Sequence, residues 1–234
     1  MAAQQQKLDG IANDLANANT TGYKHTRIGF KDLLYEQGGR PSANNVRRGT
    51  GAAAVDAGRG FEQGSLKRTD NPLDVALEGE GFFKIRLGDG RPALTRDGDF
   101  HLDADRRLTT STGGLIDPAI KIPEGVPDDR VAIERDGTVR ANGNVVGKLQ
   151  VVTVRATAGL LPVGENAFVA TAASGPTRTA PADTQVTQGA LEASNTDMAQ
   201  AMVDMIDAQR TFQMTSKAIQ TADSMMEIAN GVKR

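Results

Sequence analysis

The side chains that most often carry catalysis or bind metals are scarce in this sequence. It contains two histidines, His25 and His101, and no cysteine, which excludes a thiol nucleophile, a thiolate zinc site and a disulfide framework. Neither histidine falls in a metal-binding or triad spacing, and no G-x-S-x-G elbow or Walker loop occurs. The segment Gly79–Gly81 begins like a dinucleotide fingerprint, but Phe82 and Phe83 follow and no third glycine completes it. We therefore expect a protein that is not an enzyme, with no catalytic residue and no cofactor.

A group of four closely spaced carboxylates has the composition of a calcium site. Its members are Asp97, Asp99, Asp103 and Asp105. A calcium loop that began at Asp103 would need an oxygen ligand at its fifth position and glycine at its sixth, where Arg107 and Leu108 stand. Carboxylates also stabilise turns by accepting hydrogen bonds from nearby backbone amides. We interpret these four residues as turn residues and expect no metal.

The charge distribution argues against a polyanionic partner, because the net charge is only -2. Residues 24–68 carry a local net charge of +5, which leaves -7 for the rest of the chain. This basic stretch has neither a regular pattern of stacking aromatics nor a recognition helix, so we expect contacts between copies of the chain and no nucleic acid. No apolar run approaches the roughly 18 residues of a membrane span, and no signal peptide opens the chain. We expect no membrane insertion.

The N-terminal segment, residues 2–18, has the periodicity of an amphipathic helix. Leu8, Ile11 and Leu15 are spaced by three and four residues, which places them on one helical face. The segment Asn19-Thr20-Thr21-Gly22 is predicted to end this helix, with Gly22 closing it, because glycine readily adopts the positive φ of a helix end.

The C-terminal segment predicts a much longer helix, from about 196 to 229, with a length of roughly 50 Å. Gly189 and Gly231 bracket a run without glycine or proline, and Ser194 with Asp197 forms a candidate capping box. Alternating steps of four and three residues predict a heptad seam. Its members are Met198, Met202, Met205, Gln209, Phe212, Ser216, Ile219, Asp223 and Met226.

Between the two helical ends, turn signals follow one another closely. They are Gly88-Asp89-Gly90, Asp97-Gly98, Gly113-Gly114, Asp136-Gly137 and Asn142-Gly143. Short strand candidates lie between them, at 82–87, 131–134 and 145–154, and this combination favours β-hairpins. The prediction is an α+β, mainly β fold, with a central β-rich domain inserted between terminal helices that pair as a coiled coil. The predicted divisions are 1–35 (helix and loop), 36–71 (extended connector), 72–184 (β-rich domain) and 185–234 (long helix).

Several stretches of the chain resemble the flagellar rod and hook protein family. LDGIANDLANANTTGYK (8–24) resembles the family's N-terminal signature, in which Asp14 replaces the commoner Asn. NPLDVALEGEGFFKI (71–85) and LTRDGDFHLD (94–103) are similar to its central β-domain, and residues 188–223 to its C-terminal helix. The signature residues carried by the resemblance are Asn13, Leu15, Ala16, Asn17, Asn19, Thr20, Gly22, Tyr23 and Lys24.

The resemblance implies a structural subunit of the bacterial flagellar basal body, polymerised into the axial tube of the drive shaft. The segment order and DLLYEQ (32–37) are most similar to the distal rod subunit. The implied partners are other copies of the chain, the other axial proteins (proximal rod and hook) and the type III export apparatus. Export would occur without a cleaved signal peptide. The family's opening dozen helical residues are absent before Met1, so we expect a shortened N-terminal helix.

The expected assembly interface combines the two predicted helical faces. Its residues are Leu8, Ile11, Leu15, Met198, Met202, Met205, Phe212, Ile219 and Met226. Alternatives within the family are a proximal rod subunit and a hook protein. An alternative from another class is a binding module on a coiled-coil stalk, which predicts a stable oligomer formed by residues 196–229 alone.

Overall fold

The computed structural model describes residues 2–33, 35–37, 47–49 and 52–232, which fold into two compact units. The helical unit takes its residues from segments 1–16, 26–57 and 197–234. The β unit comprises 17–25 and 58–196. The fold is mainly β with one helix near each end of the chain, which confirms this part of the predicted fold class.

The two helices are α1 (Ala2–Ala16) and α2 (Met198–Val232). Helix α1 ends six residues before Gly22, so the prediction that Gly22 closes it is wrong. The N-terminus of α2 is capped by Asp197, whose Oδ1 accepts hydrogen bonds from the backbone amides of Ala199 (2.9 Å) and Gln200 (3.2 Å). Ser194 is not the cap, because its Oγ accepts from the amide of Thr196, before the helix begins.

The Asp197 cap yields a prediction with a natural control. Asp197→Ala should destabilise the first turn of α2 by about 1 kcal/mol, because two terminal amides lose their acceptor. Hydrogen exchange at those amides measures the effect. Ser194→Ala removes a hydroxyl three residues earlier and should leave their exchange unchanged. Equal acceleration in both variants would contradict this assignment of the cap.

The strands are short and are distributed over both units, mostly in the β unit. They are β1 (Thr26–Asp32), β2 (Tyr35–Gln37), β3 (Arg47–Gly49), β4 (Ala52–Arg59), β5 (Leu66–Arg68), β6 (Val75–Glu78), β7 (Phe82–Arg86), β8 (Pro92–Thr95), β9 (Phe100–Leu102), β10 (Leu108–Thr110), β11 (Leu115–Ile116), β12 (Val131–Ile133), β13 (Thr138–Ala141), β14 (Asn144–Lys148), β15 (Val151–Thr153), β16 (Leu161–Gly164), β17 (Ala167–Val169), β18 (Arg178–Thr179), β19 (Gln185–Gln188) and β20 (Ala190–Glu192).

The largest sheet of the β unit follows the order β16-β17-β8-β7-β11-β10-β9. Strand β7 is its centre: β8 pairs along one edge, and β15 and β11 pair in succession along the other. The two phenylalanines that open β7 point to opposite faces, as alternation along a strand requires. Phe83 packs edge-on against Phe100 in the main core, and Phe82 packs against Phe61 and Phe168 in a second cluster.

Four of the five predicted turns join antiparallel strands: β7 to β8, β10 to β11, β12 to β13 and β13 to β14. Asn142 and Gly143 have φ angles of 51° and 84°, as a tight hairpin turn of mirror-image type requires. The Asp97-Gly98 prediction is wrong, because β8 and β9 do not pair with each other. Gly98 instead allows a close backbone approach, since a Cβ there would lie 1.6 Å from the carbonyl oxygen of Val75.

The observed division of the chain differs from the predicted one. The predicted connector, 36–71, contains strands β2 to β5, and its residues 58–71 belong to the β unit; residues 38–46 and 50–51 lie outside those described. Residues 17–25 also belong to the β unit. Hydrogen bonds explain the larger unit, since the side chain of Gln63 donates to the carbonyl of Leu77 and accepts from the amide of Gly79.

Candidate assembly surfaces

Within the helical unit, α1 packs against α2. The buried positions of α2 are Ala201 and Ala208, which are seven residues apart on one side of the helix. Alanine side chains allow two helix backbones to approach closely, whereas a row of methionines would hold them apart. The buried positions of α2 thus do not include Met198 and Met202, which are both about half exposed.

On α1, the predicted face is the one that is partly covered. Leu8, Ile11 and Leu15 are each partly buried. Asp14 lies between them and is buried, and its Oδ1 accepts a hydrogen bond from the amide of Thr26 at 3.0 Å. The Asp14 carboxylate thus connects the end of α1 to the start of β1 by a hydrogen bond.

A second row of α2 residues, also spaced by seven, consists of Met205, Phe212, Ile219 and Met226. The exposure of these side chains increases toward the C-terminus of the helix. Met205 and Phe212 are partly buried, whereas Ile219 is 46% and Met226 is 66% exposed. The two helices differ in length: α1 has 15 residues and α2 has 35, which at about 1.5 Å per residue gives roughly 22 and 52 Å. The described α1 is therefore less than half as long as α2, and the exposed members of the row lie in the C-terminal half of α2.

The exposed apolar side chains of the helical unit concentrate on α2. Those on α2 are Met198, Met202, Val203, Ile206, Met214, Ile219, Met225, Met226 and Ile228, and those on or just after β1 are Phe30 and Leu33. Single exposed apolar residues are ordinary, but a concentration of them along one element is typical of an interaction surface. Four of the nine predicted interface residues fall in this exposed set.

The second half of the N-terminal signature lies in the β unit, where Lys24 is buried together with two other charged residues. The Lys24 ammonium donates to Glu192 Oε1 at 2.5 Å and to the carbonyl of Glu62 at 2.7 Å. Arg96 donates to the other carboxylate oxygen of Glu192 at 3.2 Å, and the amide of Gly64 also donates to Oε1. We call Lys24, Glu192 and Arg96 the charged triad.

Burial dominates the electrostatics of this triad. The side chains of Lys24 and Glu192 are fully buried, and Arg96 is nearly so. Loss of solvation lowers the pKa of Lys24 and of Arg96, and the Glu192 carboxylate opposes both changes. Glu192 is the carboxylate that contacts both buried cations, which makes it the member on which the other two depend.

Both backbone and side-chain contacts fix the residues around Lys24. The amide of Gly22 donates to the carbonyl of Glu192 at 2.8 Å, and a Cβ on Gly22, which has a φ of 64°, would lie 2.7 Å from the amide nitrogen of Asp97. Tyr23 is buried and has the Arg59 guanidinium over its ring. The carboxamide of Asn195 accepts from the amide of His25 and donates to two carbonyls of residues 60–62.

Asp97 is the buried member of the four carboxylates. It accepts hydrogen bonds from the Thr21 hydroxyl and the Asp99 amide, and burial raises its pKa. Asp103 accepts from the amide and guanidinium of Arg107, as expected of a turn residue. Among the described residues, no group of three or more acidic or histidine side chains has a metal-binding arrangement. No helix in the described part of the chain is long and apolar enough to cross a membrane.

The remaining signature residues lie at the passage from α1 to the β unit. Asn13 and Ala16 are exposed on the last turn of α1. Asn17 opens the following turn and accepts hydrogen bonds from Thr20, through its carbonyl and its side chain, while Asn19 is exposed. Sequence reasoning did not find Glu192, Arg96 or Asn195, because each acts on the signature from a distant position in the chain.

Three protein-family models match the chain in order. "Flagella basal body rod protein" matches residues 1–24, "Flagellar hook protein FlgE/F/G D1 domain" matches 76–141, and "Flagellar basal body rod FlgEFG protein C-terminal" matches 187–232. The first and third cover α1 with the signature and α2 with its approach, and the second covers the centre of the β unit. These matches define a protein of the flagellar rod and hook class.

Similar proteins identify the family within the rod and hook class. The chain is 40% identical to the flagellar basal-body rod protein FlgG of Borreliella burgdorferi, over 100% of this chain and 96% of that protein. It is also 40% identical to the FlgG of Agrobacterium fabrum, over 98% and 95%, and 34% identical to that of Bacillus subtilis, over 98% and 94%. The hook protein FlgE of Helicobacter mustelae matches only half of this chain. The chain therefore belongs to the flagellar basal-body rod protein family of FlgG.

Proposed function

We propose that this chain is a structural subunit of the distal part of the flagellar rod, where it polymerises through its helical unit. The observation that carries the proposal is the row Met205, Phe212, Ile219 and Met226. The row is partly buried at Met205 and Phe212 and exposed at Ile219 and Met226, in the C-terminal half of α2.

The occupant that suits the uncovered part of this row is a helix from a second copy of the chain. The row lies on a helix that already packs against α1 within the subunit, so a neighbour's helix would add a second helix–helix contact to α2. Its seven-residue spacing matches the repeat of coiled coils, and the methionine side chains adapt to irregular partners. We propose coiled-coil contacts of this kind between subunits of the axial tube.

The β unit has a different role in this proposal. It contains a hydrophobic core of its own and buries its charged triad without any partner. A domain with a complete core can remain folded before and after assembly, which suits the outer layer of a tube. The terminal helices, with their exposed apolar side chains, then line the inner layer.

The chain would need assembly partners and a route to the growing rod. The partners are copies of this chain and the neighbouring axial proteins, proximal rod and hook, in the flagellar basal body. The chain would reach the growing tube through the type III export apparatus, without a cleaved signal peptide. It acts as a building block and not as an enzyme. A proximal rod position and a hook role remain the alternatives within the family, and the full-length likeness to FlgG proteins favours the distal rod.

The absence of cysteine allows a direct test of the buried interface. Ile219→Cys should react rapidly with a maleimide in the free chain and only slowly in isolated basal bodies, because a neighbouring helix covers that position after assembly. Quantitative mass spectrometry of the labelled peptide measures both rates.

Val145→Cys is the matched control, since Val145 is an exposed apolar residue on the β unit. Its labelling in basal bodies reports whether the reagent reaches the assembled subunit at all. If Ile219→Cys is labelled equally fast before and after assembly while Val145→Cys is accessible, the α2 row is not an assembly interface.

A further inference from the structure

The methionines of this chain are confined to one element. Of the seven in the sequence, all except Met1 lie between positions 198 and 226, within α2. The β unit contains none, and the chain has no cysteine and no tryptophan. Mild two-electron oxidants react most readily with sulfur side chains, so α2 is the part of this protein that such oxidants modify first.

Five of the six methionines of α2 are accessible. Met198, Met202, Met214, Met225 and Met226 are between 47% and 66% exposed, and Met205 is partly buried. Exposure controls oxidation by peroxide because the oxidant must reach the sulfur lone pair. The helix therefore contains both the reactive positions and a less accessible internal reference.

We infer that α2 is an oxidation-sensitive assembly surface, on which hydrogen peroxide converts the exposed methionines to sulfoxides in the free subunit. In this step the thioether sulfur attacks one peroxide oxygen, the S–O bond forms and the O–O bond breaks. The departing hydroxide takes up the proton of the transferred oxygen and leaves as water. The sulfur is oxidised by two electrons and the peroxide is reduced.

The modification alters the chemistry of the helix face without altering its shape greatly. A sulfoxide is polar and accepts hydrogen bonds, so its burial against an apolar neighbour leaves a strong acceptor unsatisfied. The inference rests on the proposed function, because the consequence for assembly requires α2 to be the polymerising surface. Sulfoxide reductases can reverse the change, so an oxidised free subunit is blocked and not destroyed.

The first experiment maps oxidation on the full chain. Purified subunit and isolated basal bodies are treated with the same concentration of hydrogen peroxide, and peptide mass spectrometry follows each methionine. In the free chain we expect the five exposed methionines to be oxidised several-fold faster than Met205. In basal bodies we expect all six to be protected. Equal rates at Met205 and the exposed five in the free chain would overturn the accessibility argument.

The second experiment measures the consequence in cells that synthesise this chain as their sole copy during a peroxide pulse. A variant with all six α2 methionines replaced by leucine is compared, and completed rods per cell are counted for each strain relative to its own untreated culture. We expect loss of rods in the wild type and resistance in the variant. An equal loss of rods in both strains overturns the inference. The proposed function still stands in that case if the methionines are protected from oxidation in basal bodies. Oxidation of α2 at free-chain rates in basal bodies overturns both.

Discussion

Replacement of Glu192 by glutamine is expected to lower the free energy of unfolding of the β unit by about 3–5 kcal/mol, the usual cost of removing one partner from a buried ion pair. Glutamine retains the shape of the side chain and one acceptor oxygen, but it removes the negative charge. Lys24 and Arg96 then lose the carboxylate that contacts both of them. Calorimetry on the purified chain measures the loss at the transition of the β unit.

Two further measurements separate the triad from general damage. Glu134→Gln breaks an exposed pair with Arg140 and should change stability by about 0–1 kcal/mol. The double variant Lys24→Met, Glu192→Gln removes one of the two buried cations and should be more stable than Glu192→Gln alone. If Glu192→Gln is as mild as Glu134→Gln, the triad does not stabilise this unit.

The pH dependence of the Glu192→Gln variant has a definite sign. Burial lowers the pKa of Lys24 in the folded protein, and loss of the carboxylate lowers that pKa further. The folded state then binds fewer protons than the unfolded state between the folded pKa and the ordinary value of 10.5. Stability of the variant should therefore rise with pH across that interval and be lowest at pH values below it.

Local chemistry explains which parts of the fold were predictable. Asn142-Gly143 requires positive φ at consecutive residues, and few residue pairs other than Asn-Gly accept this, so the dipeptide by itself predicts the hairpin. The long helix α2 was predictable because a run without glycine or proline has nothing to end it. In both cases the physical cause lies within a few residues of its effect.

The charged triad had no such local signal. Lys24 and Glu192 are 168 residues apart in sequence, and no periodicity connects them. The signature Lys24 could equally have been a surface residue, which is the usual place for lysine. Similarly, Gly22 was correctly associated with positive φ, but the cause is the close approach of the Asp97 backbone and not the end of a helix.

The helix face that packs within the subunit was also beyond sequence reasoning. The methionine seam has a clear seven-residue spacing, and hydrophobicity scales rank methionine above alanine as a contact residue. The buried positions of α2 are nevertheless Ala201 and Ala208, whose small side chains allow another backbone to approach closely. An apolar spacing shows that a face will be covered, but it does not show which partner covers it.

Ile219→Asp is expected to abolish rod assembly and swimming while the β unit melts at its original temperature. Ile219 lies on the row that begins with Met205 and Phe212, in the C-terminal half of α2, and its side chain is 46% exposed. In the assembled rod we propose that a neighbour's helix buries it. A carboxylate at that position must lose its hydration or exclude the neighbour, and either outcome costs several kcal/mol per subunit.

Phe212→Asp should give the same loss of swimming, but it is the less selective variant. Phe212 is already partly buried within its own subunit, so a charge there also disturbs the helical unit. The comparison therefore relies on Ile219, where the free subunit loses little: its side chain is nearly half exposed before assembly. Calorimetry of the purified variants and a soft-agar swimming assay supply the two readouts.

Gln220→Asp is the matched control, since it places the same carboxylate one residue further along α2, at an exposed polar position. Gln220→Asp should reduce swimming much less than Ile219→Asp, because position 220 does not belong to the row that we propose a neighbouring subunit covers. If Ile219→Asp swims normally, this face of α2 does not join subunits, and the rod must be held through another surface. If it instead lowers the melting temperature of the β unit, the helical unit contributes to the stability of that unit, and loss of swimming no longer identifies an assembly contact.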